Sequence, residues 1–248
     1  ALHTLTRDSH QVRPFKPPRH WTRFMSMDWG SAAPFAVGWF GVSDGALLEG
    51  KEHWPARWLP PGAVVLYAEW YGWNGKPNQG MRLDSSAVAR RILEMERERG
   101  EPPMDYRVGD SQMWSKSDGP SASERRMTAT DGHFLMRPSQ KDRAHNYSEF
   151  LARLAGSPTF GQDGRKGDFP MFYATADCRQ FWRTVPVLTL DHVNPEKGPD
   201  TKEEDHVYDL VSYGLRSRPY TQTKEDRWQA EAAPFLREIR SADPYATR

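Results

Sequence analysis

The sequence predicts one α/β domain built around a mixed sheet. Three observations carry this. Short apolar runs rich in β-branched and aromatic residues alternate with stretches whose apolar residues recur at helical spacing. The runs end at Gly, Asp or Pro, the residues that punctuate strands. A length of 248 residues, 37% hydrophobic and with ten tryptophans, is enough for a sizeable core in one large domain or two small ones.

Residues 1–20 are polar, basic and proline-bearing (Arg13, Pro14, Lys16, Pro17, Pro18, Arg19) and read as a linker or extended arm. Residues 23–28 and 35–42 read as the first two strands, and Ser43-Asp44-Gly45 before Leu47 is a turn that predicts a hairpin. The run 63–71 is a third strand, followed by the loop 72–80. Asp84-Ser85-Ser86 opens a helix to about Arg99, with Val88, Ile92 and Met95 at helical spacing and Gly100 as its stop. Residues 105–108 form a short strand before Gly109-Asp110, and 120–130 a helix capped by Ser121 or Ser123. A brief strand is expected at 134–136. A helix over 141–155 then places Tyr147, Phe150, Leu151 and Leu154 on one face. The Gly-rich stretch 156–169 reads as a loop, 170–173 as a strand, 178–185 as a helix and 188–192 as extended. After a loop at 194–200, the last strong helix runs over 201–215. The domain is therefore expected over 21–218, with 219–248 as a C-terminal tail.

A net charge of +1 and a pI of about 8.1 neither demand nor exclude a nucleic-acid partner, so phosphate binding would need a local basic patch. Mean hydropathy is −0.82, and no apolar run approaches the ~18 residues of a membrane span. The N-terminus has no apolar core of a signal peptide, and the start at Ala1 without Met reads as a fragment of something longer. The single cysteine, Cys178, forbids an intrachain disulfide and fits a reducing compartment. Its neighbours carry no nucleophile signature, so a buried structural thiol is expected.

The most informative stretch is Glu203-Glu204-Asp205-His206-Val207-Tyr208-Asp209, where four carboxylates and a histidine fall within seven residues. On a helix Asp205 and Asp209 share a face. Crowded oxygen donors suit Mg²⁺ or Mn²⁺ better than zinc. Two further aspartates stand where apolar runs end, Asp28 in Met27-Asp28-Trp29-Gly30 and Asp110 after Val108-Gly109. Carboxylates from two strand ends and one helix are what a two-metal phosphodiesterase site needs. Each also has a plainer reading. Asp28 is equally a turn residue, Asp110 an N-cap, Asp205 and Asp209 a solvated helix face, and His206 a ligand, a base or a surface histidine. Gly30 would let a backbone or a phosphate come close. Lys141 and Arg143, soon after a strand, are the better candidates among the basic residues for tracking a DNA backbone.

Gly72-Trp73-Asn74-Gly75-Lys76-Pro77 is not a phosphate-binding loop, because the second Gly comes too soon and Pro77 replaces the magnesium-binding hydroxyl. ATP hydrolysis by this chain is not expected. No Cys-x-x-Cys or His-Glu-x-x-His occurs, so zinc is not expected either.

These residues resemble the C-terminal nuclease domain of the large terminase subunit of tailed bacteriophages, the genome-packaging motor. The matching stretches are Met27-Asp28-Trp29-Gly30 with Pro34-Phe35-Ala36-Val37, and Val108-Gly109-Asp110 with Trp114 and Pro120-Ser121. Ser139-Gln140-Lys141-Asp142-Arg143 with Leu151 and Leu154 follows, then Phe172, Cys178, Thr184-Val185-Pro186 and Asp191. The run from Asp200-Thr201 through Asp205-His206 and Asp209 to Tyr213-Gly214 is the most specific piece, and the resemblance spans about residues 20–218.

The resemblance implies a ribonuclease H-like fold, shared with resolvases and integrases. It also implies a metal-dependent endonuclease, using two Mg²⁺ or Mn²⁺ ions, that cuts concatemeric viral double-stranded DNA with low sequence preference. By position Asp28 would be the first-strand ligand, bridging both ions, Asp110 the second and Asp205 the third. His206 and Asp209 contend for that last place. Portal protein and small terminase subunit are the implied partners, and the cytoplasm of an infected bacterial cell the implied location. A full-length family member also carries an N-terminal ATPase domain, which this chain lacks, and residues 1–20 would be the remnant of the interdomain linker. Two other readings stay open: a resolvase- or integrase-type nuclease of the same fold, and a non-catalytic docking module for portal or small subunit.

Overall fold

The computed structural model describes residues 2–30, 32–116 and 120–218. In chain order the elements begin with α1 (Arg7–His10), β1 (Gln11–Val12), β2 (Thr22–Asp28), β3 (Ala36–Val42), β4 (Ala46–Leu48), β5 (Arg57–Leu59) and β6 (Val64–Tyr71). Then come α2 (Ser85–Glu98), β7 (Tyr106–Gly109), a 3₁₀ turn (Ser111–Trp114), α3 (Ala122–Ala129), β8 (Arg137–Pro138) and α4 (Arg143–Ala155). The chain continues through β9 (Ser157–Phe160), β10 (Lys166–Phe169), β11 (Phe172–Thr175), α5 (Arg179–Thr184) and α6 (His206–Arg216).

Seven strands form the main sheet in the order β1-β11-β6-β3-β2-β7-β8. Only β3 runs against its neighbours, pairing antiparallel with β2 and β6, while the other pairs are parallel. The sheet is thus mixed and mostly parallel, with the C-terminal ends of β2, β6 and β7 on one side. β2 and β3 are buried almost throughout, which is why β3 reads as a continuous apolar run instead of an alternating one, while β2 buries Arg23, Ser26 and Asp28 among its apolar residues.

Helices cover both faces. On one, α4 and α6 pack Phe150, Leu154, Val207, Leu210 and Val211 against Phe24, Phe40, Leu66 and Phe172. Each such buried side chain contributes about 1.5–3 kcal/mol. A Cβ on Gly38 would lie 2.5 Å from Leu210 Cδ1 and 2.9 Å from Leu66 Cδ1, so glycine there lets α6 sit directly on β3. On the other face α2 presents Val88, Ala89 and Ile92, all fully buried. Asp84 caps α2 by accepting from Ser86 N and Ala87 N. Here Trp39 donates to Glu96 at 3.0 Å, Glu96 pairs with Arg107 at 2.6 Å, and Arg23 pairs with Glu101.

Several segments differ from the sequence reading. Residues 2–12 are not a free arm. Leu2, Leu5 and Val12 are buried, and β1 adds an edge strand parallel to β11. Three apolar residues scattered among basic ones give no periodic signal, yet residues 1–218 form one compact unit. The turn at Ser43–Gly45 leads into a separate two-stranded sheet, β4 with β5, because β6 already occupies the free edge of β3. The brief strand lies at Arg137–Pro138, not 134–136, where Phe134 is a buried core residue. The Gly-rich stretch holds an antiparallel hairpin, β9 with β10, whose exposed faces gave it the composition of a loop. The last helix starts at His206, not at 201, because the preceding carboxylates bond elsewhere: Asp200 accepts from Lys202 N, Glu203 from Thr189 N, and Glu204 from Tyr71 Oη. The expected tail 219–248 lies outside the described residues. Among the described residues no helix is long and apolar enough to cross a membrane.

Candidate metal-dependent active site

β2 and β7 lie side by side in parallel, with Met27 opposite Gly109, so their next residues, Asp28 and Asp110, leave the sheet at one place. Asp110 N donates to Met27 O at 3.1 Å, tying the two strand ends together. Asp110 Oδ1 accepts from Gln112 N at 3.0 Å and opens the 3₁₀ turn, so the capping role and the placement at the site coexist. α6 crosses the sheet with its N-terminus at these strand ends. Asp205 holds the position before the helix but makes no capping bond with its side chain, which leaves the carboxylate to face the cavity. His206 begins the helix, and Asp209 follows one turn on. Asp28, Asp110, Asp205, His206 and Asp209 all line one cavity of about 470 Å³, together with Trp29, Gly30, Lys141 and Arg143. The fan of side chains at a helix N-terminus is what lets three neighbouring residues reach one space.

His206 Nδ1 lies 3.0 Å from Asp28 Oδ2. Arg143 donates to both oxygens of Asp209, at 3.1 and 3.3 Å, to Asp205 Oδ2 at 3.4 Å and to Pro199 O at 3.0 Å. Lys141 Nζ lies 3.1 Å from Asp110 Oδ1. Burial pushes the Asp28 carboxyl up, and the charge of Asp110 adds to this while His206 opposes it. Burial likewise raises Asp205 to about 6, against the pull of Arg143 and His206. Asp209 is raised well above the ordinary value by burial and then by Asp205 and Asp28. Burial disfavours the charged imidazole of His206, but its bond to Asp28 and the surrounding carboxylates outweigh this and raise its pKa.

The donor set fits a hard divalent cation, since buried carboxylates that repel one another gain from a shared positive charge. Among the described residues, however, no three His, Cys, Asp or Glu side chains stand close enough to hold a single ion as they are. Two side-chain cations engage Asp110, Asp205 and Asp209, and His206 engages Asp28.

These cations are Lys141 and Arg143. Sequence reasoning gave both to the DNA backbone, whereas the structure engages both with candidate ligands. At Gly30 the structure shows a close backbone approach: a Cβ there would lie 2.5 Å from Ala33 O and 2.6 Å from Pro34 O, both of the chain's own loop. Asn146, Tyr208 and Ser212 also line the cavity and were missed. Asn146 was within reach of sequence reasoning, because it stands three residues after Arg143 on the same helix face. Cys178 is buried, with Sγ 3.5 Å from Leu66 O, and burial pushes its thiol up, as suits a structural residue.

Arg143→Ala is expected to destabilise the metal-free protein by about 1–3 kcal/mol, since it leaves Asp209 buried without its partner. Stability should also depend on pH through this site. A carboxyl raised in the folded state binds more protons there than in the unfolded chain, so its contribution falls as pH rises. For Asp205 the window runs from the ordinary carboxylate value up to about 6, and Asp205→Asn should flatten that part of the profile. Chemical unfolding across pH 4–7, without divalent cations, checks both.

No protein-family profile matches the sequence, and the search of curated proteins gives no match. Solved structures do match. The nuclease domain of the P22 large terminase is 14% identical, with a TM-score of 0.56 over 88% of this chain and 91% of that one. In fold, the chain is similar to phage terminase nuclease domains. The large terminase of a thermophilic bacteriophage, in its second crystal form, is 15% identical with a TM-score of 0.60 over 88% of this chain. The complex of that terminase with ADP gives 14% and 0.59 over 86%. The chain spans less than half of the thermophilic phage protein, 44% and 43% of its length in the two structures. The architecture is the ribonuclease H-like one, a mixed central sheet flanked by helices.

Proposed function

We propose that the chain is a divalent-metal-dependent endodeoxyribonuclease that cuts concatemeric double-stranded viral DNA during genome packaging. The observation that carries this is the convergence of Asp28 and Asp110, from two adjacent parallel strand ends, with Asp205, His206 and Asp209 of one helix on a single cavity. The likeness in fold to terminase nuclease domains supports it. Portal protein, small terminase subunit and an ATPase domain are the partners this reading carries with it, in the cytoplasm of the infected cell.

Asp28, Asp110 and Asp205 would hold two Mg²⁺ or Mn²⁺ ions. Bound ions supply a water of lowered pKa and stabilisation of the leaving 3′-oxygen. Asp28 is oriented by His206, and Asp205 by Arg143. Both oxygens of Asp209 accept from Arg143 Nη1 while Nη2 reaches Asp205, so Asp209 supports the guanidinium that holds the ligand. Contacts to the DNA would fall on its backbone, which carries no base information, so sequence preference should be low.

Nicking of supercoiled plasmid tests the reading. Cleavage should appear with Mg²⁺ or Mn²⁺ and vanish in EDTA. Undiminished cutting in chelator would end the two-metal idea, and no cutting in Mn²⁺ at high protein concentration would favour a docking module.

A further inference from the structure

The two cations in the cavity are held very differently. Arg143 has a side chain 30% exposed and is fixed by Asp209, Asp205 and the Pro199 carbonyl. Lys141 is 43% exposed, sits at the rim, and its one ion pair among the described residues is with Asp110, whose carboxylate is 9% exposed. An exposed ammonium paired once contributes little stability and moves easily on its four-carbon stem. Its backbone, by contrast, is pinned on both sides. Ser139 N donates to Gly109 O at 2.8 Å, and Asp142 caps α4 by accepting from His145 N at 3.0 Å. The ammonium can therefore leave Asp110 without leaving the cavity mouth.

We propose that Lys141 is an exchangeable internal counter-ion. It neutralises Asp110 when no divalent cation is bound, it is displaced when one binds, and the freed ammonium takes up a phosphate of the DNA backbone. This rests on the nuclease reading above. Asp110 stays neutralised in both states, so the charge of Lys141 is redirected, not lost. Cation and DNA then favour each other's binding, and by linkage the effect is reciprocal. Arg143 does not take part, because three residues hold its guanidinium in place.

The test compares the full chain with Lys141→Met and Lys141→Gln, each checked for an unchanged melting temperature. Calorimetry first measures Mn²⁺ binding without DNA. Removal of the internal competitor should tighten it about threefold to fivefold in both variants. Binding of a DNA duplex is then followed across salt, in chelator and in Ca²⁺. Adding Ca²⁺ should steepen the salt dependence more in wild type than in the variants, by about 0.9 in log–log slope, the mark of one further phosphate contact. Equal Mn²⁺ affinity in wild type and variants, or an equal change in slope, overturns the exchange and leaves the nuclease reading standing. A wild type that takes up no Mn²⁺ overturns that reading and the exchange with it.

Discussion

Asp28→Ala should abolish DNA cleavage while the protein stays folded. Asp28 ends the central strand β2, faces the cavity and lies closest to the head of α6 through its 3.0 Å contact with His206. Losing a ligand that stabilises charge in the transition state costs several kcal/mol, so the rate should drop on the order of 10³-fold. Fold stability should hold, because the carboxylate is buried and repelled by Asp110, and its removal relieves both penalties. Asp110→Ala should behave alike in cleavage. Plasmid nicking together with thermal melting separates the two effects. Wild-type rates in either variant would mean that the site lies elsewhere, whereas an unfolded Asp28→Ala would mean that the carboxylate is structural.

The second large effect concerns the head of α6. Asp205→Ala should be the most damaging change there, followed by Asp209→Ala and then His206→Ala. The structure supplies the reason for this order. Asp205 is free of capping duty and faces the cavity. Asp209 is committed to Arg143 through two bonds and acts through that guanidinium, so about 10–100-fold is expected on its loss. His206 orients Asp28 through Nδ1. Cleavage rates of the three variants, measured at saturating Mn²⁺, check the order. A dead His206→Ala beside an active Asp205→Ala would make the imidazole the ligand and Asp205 its support.

Much of this was legible in the sequence because burial and spacing speak together. The run that became β3 is apolar over its full length and that of β6 is apolar but for Glu69, as strands near the middle of a covered sheet tend to be, while β2 was marked by Phe24, Met25 and Met27. Asp28 and Asp110 stood out as carboxylates at strand ends, a place where a turn or cap residue is equally common, and Asp110 does cap the 3₁₀ turn. What stayed hidden was set by long-range partners. The helix head was read too early, since nothing local in Asp200–Glu204 says that Tyr71, Arg183 and Thr189 will take their side chains. The hairpin of β9 and β10 hid behind its glycines and exposed polar faces, and β1 behind its two-residue length. The ion pairs of Lys141 and Arg143 were invisible for the same reason: charge is legible in sequence, but the partner that takes it is not.

The most direct test of the central claim is where a cation binds. Crystals soaked in Mn²⁺ should show anomalous peaks in the cavity, with oxygens of Asp28, Asp110 and Asp205 within about 2.5 Å of an ion and Lys141 turned away from Asp110. A cavity without any peak in a soaked crystal whose protein still cuts DNA would contradict the account.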